Sequence, residues 1–338
     1  MTAESRRIVL AARPSGMVDD TTTRLETVPV PSPEPGEAVV RVRHLSIDPT
    51  IRTWMDDAPG YLPPIQIDDV IRSGGIGEVI ATASDHYAVG DTVFGMLGWQ
   101  DHAVVDEAGH TAQVIPGDVD PNAALSVFGT TGMTAYFGLL DVGELQPGDT
   151  VVVSAAAGAT GSVVGQIARV KGARRVVGIA GGPEKCARLV DDLGFDAAID
   201  YKADDVGARL KELCPDGIDL CFDNVGGEIL DACLEHLARR ARVVCCGAIS
   251  AYNDRGRAHG LLNTFNLIIQ RARMEGFLIL DYLDRFPEAQ AEMFGWVTDG
   301  NVRHSEHVVE GLANAPDALN LLFTGGNTGK LVVAVEGD

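Results

Sequence analysis

The sequence predicts an α/β chain in which a doubly wound parallel sheet is joined to a β-rich domain. Three observations predict it. From Thr150 onward, short apolar strands alternate with amphipathic helices. The preceding 120 residues instead repeat short strands and Gly turns. Between the two patterns stands "TVVVSAAAGATGSVVGQIARVKG", residues 150–172, where a β-branched strand narrows to Ala and Gly before a helix begins. Such narrowing lets a ligand approach the backbone closely.

Length and charge bound the partners. The chain has 338 residues, enough for two domains, and its 46% hydrophobic content is ordinary for a globular protein. A net charge of −21 opposes binding to nucleic acid or anionic membrane. An anionic cofactor must then be held by local donors. The N-terminal apolar stretch, residues 8–12, is too short for a signal segment, and no run of about 18 apolar residues suggests a membrane span. The cysteines Cys186, Cys214, Cys221, Cys233, Cys245 and Cys246 show no zinc or disulfide spacing. They read as buried reduced thiols, which places the protein in the cytoplasm.

The elements follow in order. "PVPSPEPGEAVVRVRHLSID" is a Pro-rich loop leading into a strand where Val40 and Val42 alternate with Arg41 and Arg43. "GGIGEVIATA" and "VGDTVFGML" repeat strand and turn, suggesting a small barrel or irregular sheet. Parallel strands are expected at 151–155, 176–180, 197–200, 218–223, 243–246 and 277–280, with helices at 184–193, 205–213 and 229–238. The tail returns to strand and turn in "SEHVVEGL" and "TGGNTGKLVVAV" and is expected to rejoin the N-terminal domain. The expected domains are residues 1–123 with 305–338, and 124–304.

"AAGATG" places Ala156, Gly158 and Gly161 at A-x-G-x-x-G spacing, with Ala159 and Thr160 between the glycines. It follows a strand and opens a helix, where backbone N–H groups and the helix dipole suit a pyrophosphate. Alone, three small residues make only a tight turn; the alternating strands behind them favour dinucleotide binding. Gly161 and Gly165 are expected to permit close helix–strand packing. An NAD site wants a carboxylate about 20 residues on. Here the second strand ends in Gly181-Gly182, followed by Lys185, and Tyr201 lies at the end of the third. A lysine and a phenol without a carboxylate suit a 2′-phosphate, so NADP(H) is favoured, although each residue singly reads as surface. Asn224 in "FDNVGGEIL" and the segment from Gly247 to Tyr252 in "RVVCCGAISAYN" end later strands and should flank the nicotinamide half.

Nearly the whole chain resembles the zinc-free medium-chain dehydrogenase/reductases, in the branch of prostaglandin reductases, alkenal double-bond reductases and curcumin-reductase-like enzymes. The residues that carry it are "LSIDPTIR", "GGIGEV", "AAAGATGSVVGQIA", "GGPEK", "GFDAAIDYK", "FDNVGGEILD", "CGAISAYN", "RMEGFLILDY" and "GNTGKLVV". The resemblance implies a GroES-like β domain plus a Rossmann domain, with Lys185 and Tyr201 receiving the 2′-phosphate. It places Asn224, the segment Cys246, Gly247, Ala248, Ile249, Ser250 and Tyr252, the run Phe277, Leu278 and Ile279, and Asn327 around the rest of the cofactor. It also implies a homodimer. One departure stands out: relatives often have Tyr where "DPTIR" has Thr50.

Zinc relatives carry a Cys near "SIDPT" and a His-Glu pair near "GGIGEV"; this chain has neither, and no cysteine before Cys186. His44, His86, His102 and His110 lack ligand spacing and read as surface or loop residues. A metal-free site can still pass a hydride to an α,β-unsaturated ketone or aldehyde. The β-carbon takes the hydride and charge gathers on the carbonyl oxygen, which needs hydrogen-bond donors. Tyr252 is the candidate donor, its phenol protonated at neutral pH, with the nicotinamide ribose 2′-hydroxyl as a second; the plainer reading has Tyr252 positioning the ribose. Met133, Thr134 and Tyr136 either border the nicotinamide or simply pack. Cys245 and Cys246 read as inert packing in a buried strand. The expected activity is NADPH-dependent reduction of enones or enals. The alternatives are an NADPH:quinone oxidoreductase, or a relative that binds nucleotide without catalysis.

Overall fold

The computed structural model describes residues 3–108, 112–115, 119–254 and 259–336. They fall into two compact units, Met1–Leu125 with Glu306–Asp338, and Ser126–Ser305. Among the described residues no helix is long and apolar enough to cross a membrane.

The first unit opens with an antiparallel hairpin of β1 (Glu4–Leu10) and β2 (Thr23–Pro29). Next comes β3 (Glu37–Ile47), followed by the short helix α1 (Thr50–Trp54). Strands β4 (Gly75–Thr82), β5 (Thr92–Gly95), β6 (His102–Asp106) and β7 (Ala112–Val114) precede the helix α2 (Pro121–Leu125). β3 pairs antiparallel with both β4 and β6, and β5 joins β4 to β7. Along β3 the alternation holds: Val40 and Val42 are buried, while Arg43 reaches out to Glu78 at 2.9 Å.

The second unit begins with α3 (Thr130–Phe137) and then winds strand and helix in turn. β8 (Thr150–Ser154) leads into α4 (Ala159–Val170), and β9 (Arg175–Ala180) into α5 (Pro183–Asp191). β10 (Ala197–Asp200) is followed by α6 (Val206–Leu213), β11 (Ile218–Asp223) by α7 (Gly227–Glu235), and β12 (Leu237–Cys245) by α8 (Phe265–Gln270). β13 (Arg273–Gly276) and α9 (Phe286–Thr298) close the unit. All six strands are parallel, in the order β10-β9-β8-β11-β12-β13. The whole of β8 is buried, as a central strand covered on both faces must be.

Two expected elements are corrected. The strand expected at 277–280 lies earlier: the ladder with β12 runs from Arg242↔Arg273 to Cys245↔Gly276. The apolar run beyond it leaves the sheet. A Cβ on Gly138 would stand 2.6 Å from the Phe277 ring, so Phe277 packs there instead. Charged residues on this edge strand hid it from a hydrophobic pattern. The helix expected to reach residue 238 stops at Glu235, because Leu237 already pairs with Ile218.

The tail adds β14 (Glu306–Glu310), α10 (Ala315–Thr324) and β15 (Lys330–Ala334). β15 pairs parallel with β14 and antiparallel with β3, inside the first unit. Its first residue, Lys330, is 1% exposed and donates to Asp48 at 2.6 Å and to the Ile47 carbonyl at 3.1 Å. The helix α10 was not foreseen, since the tail was read as strand and turn only.

Candidate functional site: the strand tips of the parallel sheet

The turn from β8 to α4 is bare backbone. Ala155 sits at φ 48°, in the left-handed region that costs an alanine about 1–2 kcal/mol. The Gly158 N–H closes the turn onto the Ala155 carbonyl at 3.0 Å, and the Ser162 N–H donates to the Gly158 carbonyl at 3.1 Å. Between them, the N–H groups of Ala159, Thr160 and Gly161 have no acceptor among the described residues, and no side chain caps the helix. A Cβ on Gly161 would come within 2.5 Å of the Ala155 carbonyl oxygen and 2.8 Å of the Ala156 Cα. Three first-turn amides beside a side-chain-free turn fit a pyrophosphate. Gly165 serves differently from expectation: its missing Cβ makes room for the Phe195 ring, at 1.9 Å, rather than for a strand.

At the neighbouring tips, β9 ends in Ala180 and Gly181, without a carboxylate. A Cβ on Gly181 would stand 2.8 Å from the Tyr201 ring and 2.9 Å from Lys202 Cε, so both side chains lie over this glycine. Lys185, in the first turn of α5, is half-buried. Burial, and then the charge of Lys202, hold its ammonium below the ordinary pKa. The nearby carboxylate of Asp200 accepts the N–H groups of Gly182 at 2.8 Å and Lys202 at 3.0 Å. Lys202 escaped the sequence reading because strict strand alternation would send it away from Tyr201. β10 has already ended at Asp200, however, and the chain turns there.

Across the sheet, the tip of β11 is organised by Asp223, which is 1% exposed. Its carboxylate accepts the Ser154 hydroxyl at 2.7 Å, the Gly226 N–H at 2.8 Å and the Val225 N–H at 3.2 Å. Burial nevertheless pushes this carboxyl above the ordinary range, the three donors only partly offsetting it. Asn224 donates its side-chain amide to the Ser154 carbonyl at 2.7 Å. Gly226 and Gly227 then adopt φ 71° and 60°, which a side chain would resist. The segment from Cys246 to Tyr252 laces onto this turn. Cys246 N–H donates to Asp223 O at 2.8 Å, Ile249 N–H to Asn224 O at 3.3 Å, and the Ser250 hydroxyl to Val225 O at 2.6 Å. The Tyr252 phenol oxygen accepts the Ala248 N–H at 3.1 Å and lies 3.2 Å from where a Gly247 Cβ would stand. Cys245 ends β12, with Cys246 just past it. Both are half-buried rather than in the strand's core, and burial pushes their thiols up to about 11 and about 12.

The remaining expected residues scatter. Phe277 is half-buried, and Leu278 and Ile279 lead into a 3-10 turn. Asn327 belongs to the first unit, where its amide donates to the Gly329 carbonyl at 3.2 Å. Met133 is fully buried, and the Tyr136 phenol donates to Glu292 at 2.6 Å, which are packing roles. In the first unit, the Thr50 hydroxyl is hydrogen-bonded to Tyr61, a residue the sequence did not single out. Two histidines are corrected: His44 lies in β3 and His102 in β6, both half-buried by the sheet, and burial lowers the pKa of each. His86 is an exposed loop residue, and His110 lies outside the described residues. Among the described residues, no three His, Cys, Asp or Glu side chains gather as a metal-binding group.

Residues 6–113 match the family described as N-terminal domain of oxidoreductase, and residues 159–295 the one described as zinc-binding dehydrogenase. The chain belongs to the medium-chain dehydrogenase/reductase superfamily, in the branch of curcumin, alkenal and prostaglandin reductases. It is 41% identical to the NADPH-dependent curcumin reductase of Escherichia coli (strain K12), over 99% of this chain and 98% of that one. It is 39% identical to the NADP(+)-dependent 2-alkenal reductase of Nicotiana tabacum, over 88% of this chain and 87% of that one. The crystal structure of CurA in complex with NADPH from Vibrio vulnificus matches with a TM-score of 0.93 at 43% identity, over 98% of this chain and 100% of that one.

The raised Asp223 carboxyl has a measurable consequence. An unfolded aspartate titrates near pH 4, so above that the folded chain keeps a proton the unfolded chain has lost. Stability contributed by this group is therefore complete at low pH and falls as pH rises through the folded value. In urea unfolding, the stability of the native chain relative to Asp223→Asn should fall as pH climbs from about 4 towards neutrality. A difference that stays flat contradicts the burial-driven shift.

Proposed function

We propose that the protein is an NADPH-dependent reductase of the carbon–carbon double bond in α,β-unsaturated ketones and aldehydes. The observation that carries this reading is the pairing of two features on one sheet. Three unpartnered amides stand at the glycine-lined start of α4, and a lysine and a phenol gather at the Gly181 corner, where no carboxylate is turned outward. The first suits a pyrophosphate and the second a 2′-phosphate. Relatives named as NADPH-dependent curcumin reductase and NADP(+)-dependent 2-alkenal reductase support the same cofactor and acceptor.

In this reading Ala156, Gly158, Ala159, Thr160 and Gly161 hold the pyrophosphate, and Lys185 and Tyr201 the 2′-phosphate. Asn224 and the segment from Cys246 to Tyr252 face the nicotinamide half, with Phe277, Leu278, Ile279 and Asn327 completing the site. The bound cofactor supplies the hydride. The chain's own task is to orient the acceptor and steady the oxygen that gains charge. Tyr252 is suited to that task because the Ala248 N–H fixes its oxygen as an acceptor, so its proton can be given to a carbonyl oxygen. Tyr61 places a phenol beside Thr50, giving the acceptor an aromatic wall that position 50 does not provide.

A second copy of this chain is the proposed partner. On the edge-strand side of the parallel sheet, Leu262, Phe265 and Ile268 are 79%, 66% and 71% exposed, and Met274 on β13 is 40% exposed. So much apolar surface beside an open strand edge suits a self-complementary interface.

Replacing Tyr252 with Phe should lower turnover of a medium-chain enone about tenfold or more, while NADPH affinity measured by fluorescence titration stays nearly unchanged. Unchanged turnover removes the donor role. Faster NADPH consumption with a benzoquinone than with any enone points to quinone reduction instead. For the interface, sedimentation should show a dimer that Ile268→Asp converts to monomer; a wild-type monomer refutes it.

A further inference from the structure

We infer that Lys202 is a second cation of the 2′-phosphate site and a determinant of the preference for NADPH over NADH. This deepens the cofactor reading above and rests on it.

The argument starts from the chain's geometry. β10 ends at Asp200, and the N–H groups of Ala203 and Asp204 turn back onto its carbonyl at 3.0 and 2.8 Å. In a strand, Tyr201 and Lys202 would point to opposite faces. In this turn they do not: the Tyr201 ring and the Lys202 stem both close on one point above Gly181. Only a residue without Cβ leaves room for both there. The turn is held by Asp200 itself, whose Oδ1 accepts the backbone N–H groups of Gly182 and Lys202 together. The carboxylate that would oppose a phosphate is thereby occupied with backbone donors. Lys202 forms no ion pair among the described residues, in a chain whose arginines largely pair with carboxylates. Lys185 feels the Lys202 charge, which helps hold its own pKa down. Two like charges brought together in a chain of net charge −21 need a compensating anion. A dianionic 2′-phosphate is such an anion, and a ribose 2′-hydroxyl is not.

The test uses the full chain and two mononucleotide probes, 2′,5′-ADP and 5′-AMP, which differ only by the 2′-phosphate. Lys202→Ala should weaken 2′,5′-ADP about tenfold by calorimetry, and leave 5′-AMP within about twofold. Lys202→Arg should retain most of the affinity, and the NADPH-to-NADH preference should shrink by the same factor in Lys202→Ala. If Lys185→Ala weakens 2′,5′-ADP and Lys202→Ala does not, the Lys202 role is overturned and the cofactor reading stands. Equal weakening of both probes also overturns it, by reducing Lys202 to a general surface charge. If the native chain does not distinguish the two probes, the NADPH reading fails, and this inference with it.

Discussion

The turn from β8 into α4 is built on a contact that leaves no space for a side chain. At Gly161 the helix backbone passes so close to the carbonyl of Ala155 and the Cα of Ala156 that a methyl group would have to displace one of them. That closeness forces Ala155 into a left-handed conformation and leaves the first amides of α4 without partners. A folded chain rarely keeps strain and unsatisfied donors together unless something else meets them. The neighbouring tips follow the same rule. Gly181 yields its space to two side chains, and Gly226 and Gly227 yield theirs to a turn laced to Ser250.

Electrostatics sharpen this arrangement. A chain of net charge −21 repels the anion it is proposed to hold, so the attraction must come from short range. Helix amides, Lys185 and Lys202 provide it at one end of the sheet. At the other end, the only acid at the tip of β11 is buried and spent on Ser154, Val225 and Gly226. Asp223 thus acts on the site through geometry, by tying β8 to β11, rather than by presenting a charge.

Much of this was legible before the structure. The strands at β8, β9, β10 and β11 read directly from apolar runs, because a parallel strand buried on both faces has no polar alternation to confuse it. The glycine motif, Lys185, Tyr201 and Asn224 were visible from spacing and position. What escaped depends on packing or turns. β13 is a charged edge strand, so the apolar run after it looked more like a strand than it did. Lys202 was hidden by the assumption that alternation continues past Asp200. Tyr61 reaches Thr50 through a loop that no periodicity describes. α10 was missed because the turn motifs on either side of it drew the reading of the tail.

The account stands or falls on the bare turn. Amide hydrogen exchange resolved to single residues, with and without NADPH, tests it most directly. If the first-turn amides of α4 hold the pyrophosphate, exchange at Ala159, Thr160 and Gly161 is fast in the free chain and slows markedly on saturation. Tight NADPH binding that leaves these three amides exchanging at their free rate would contradict the central claim.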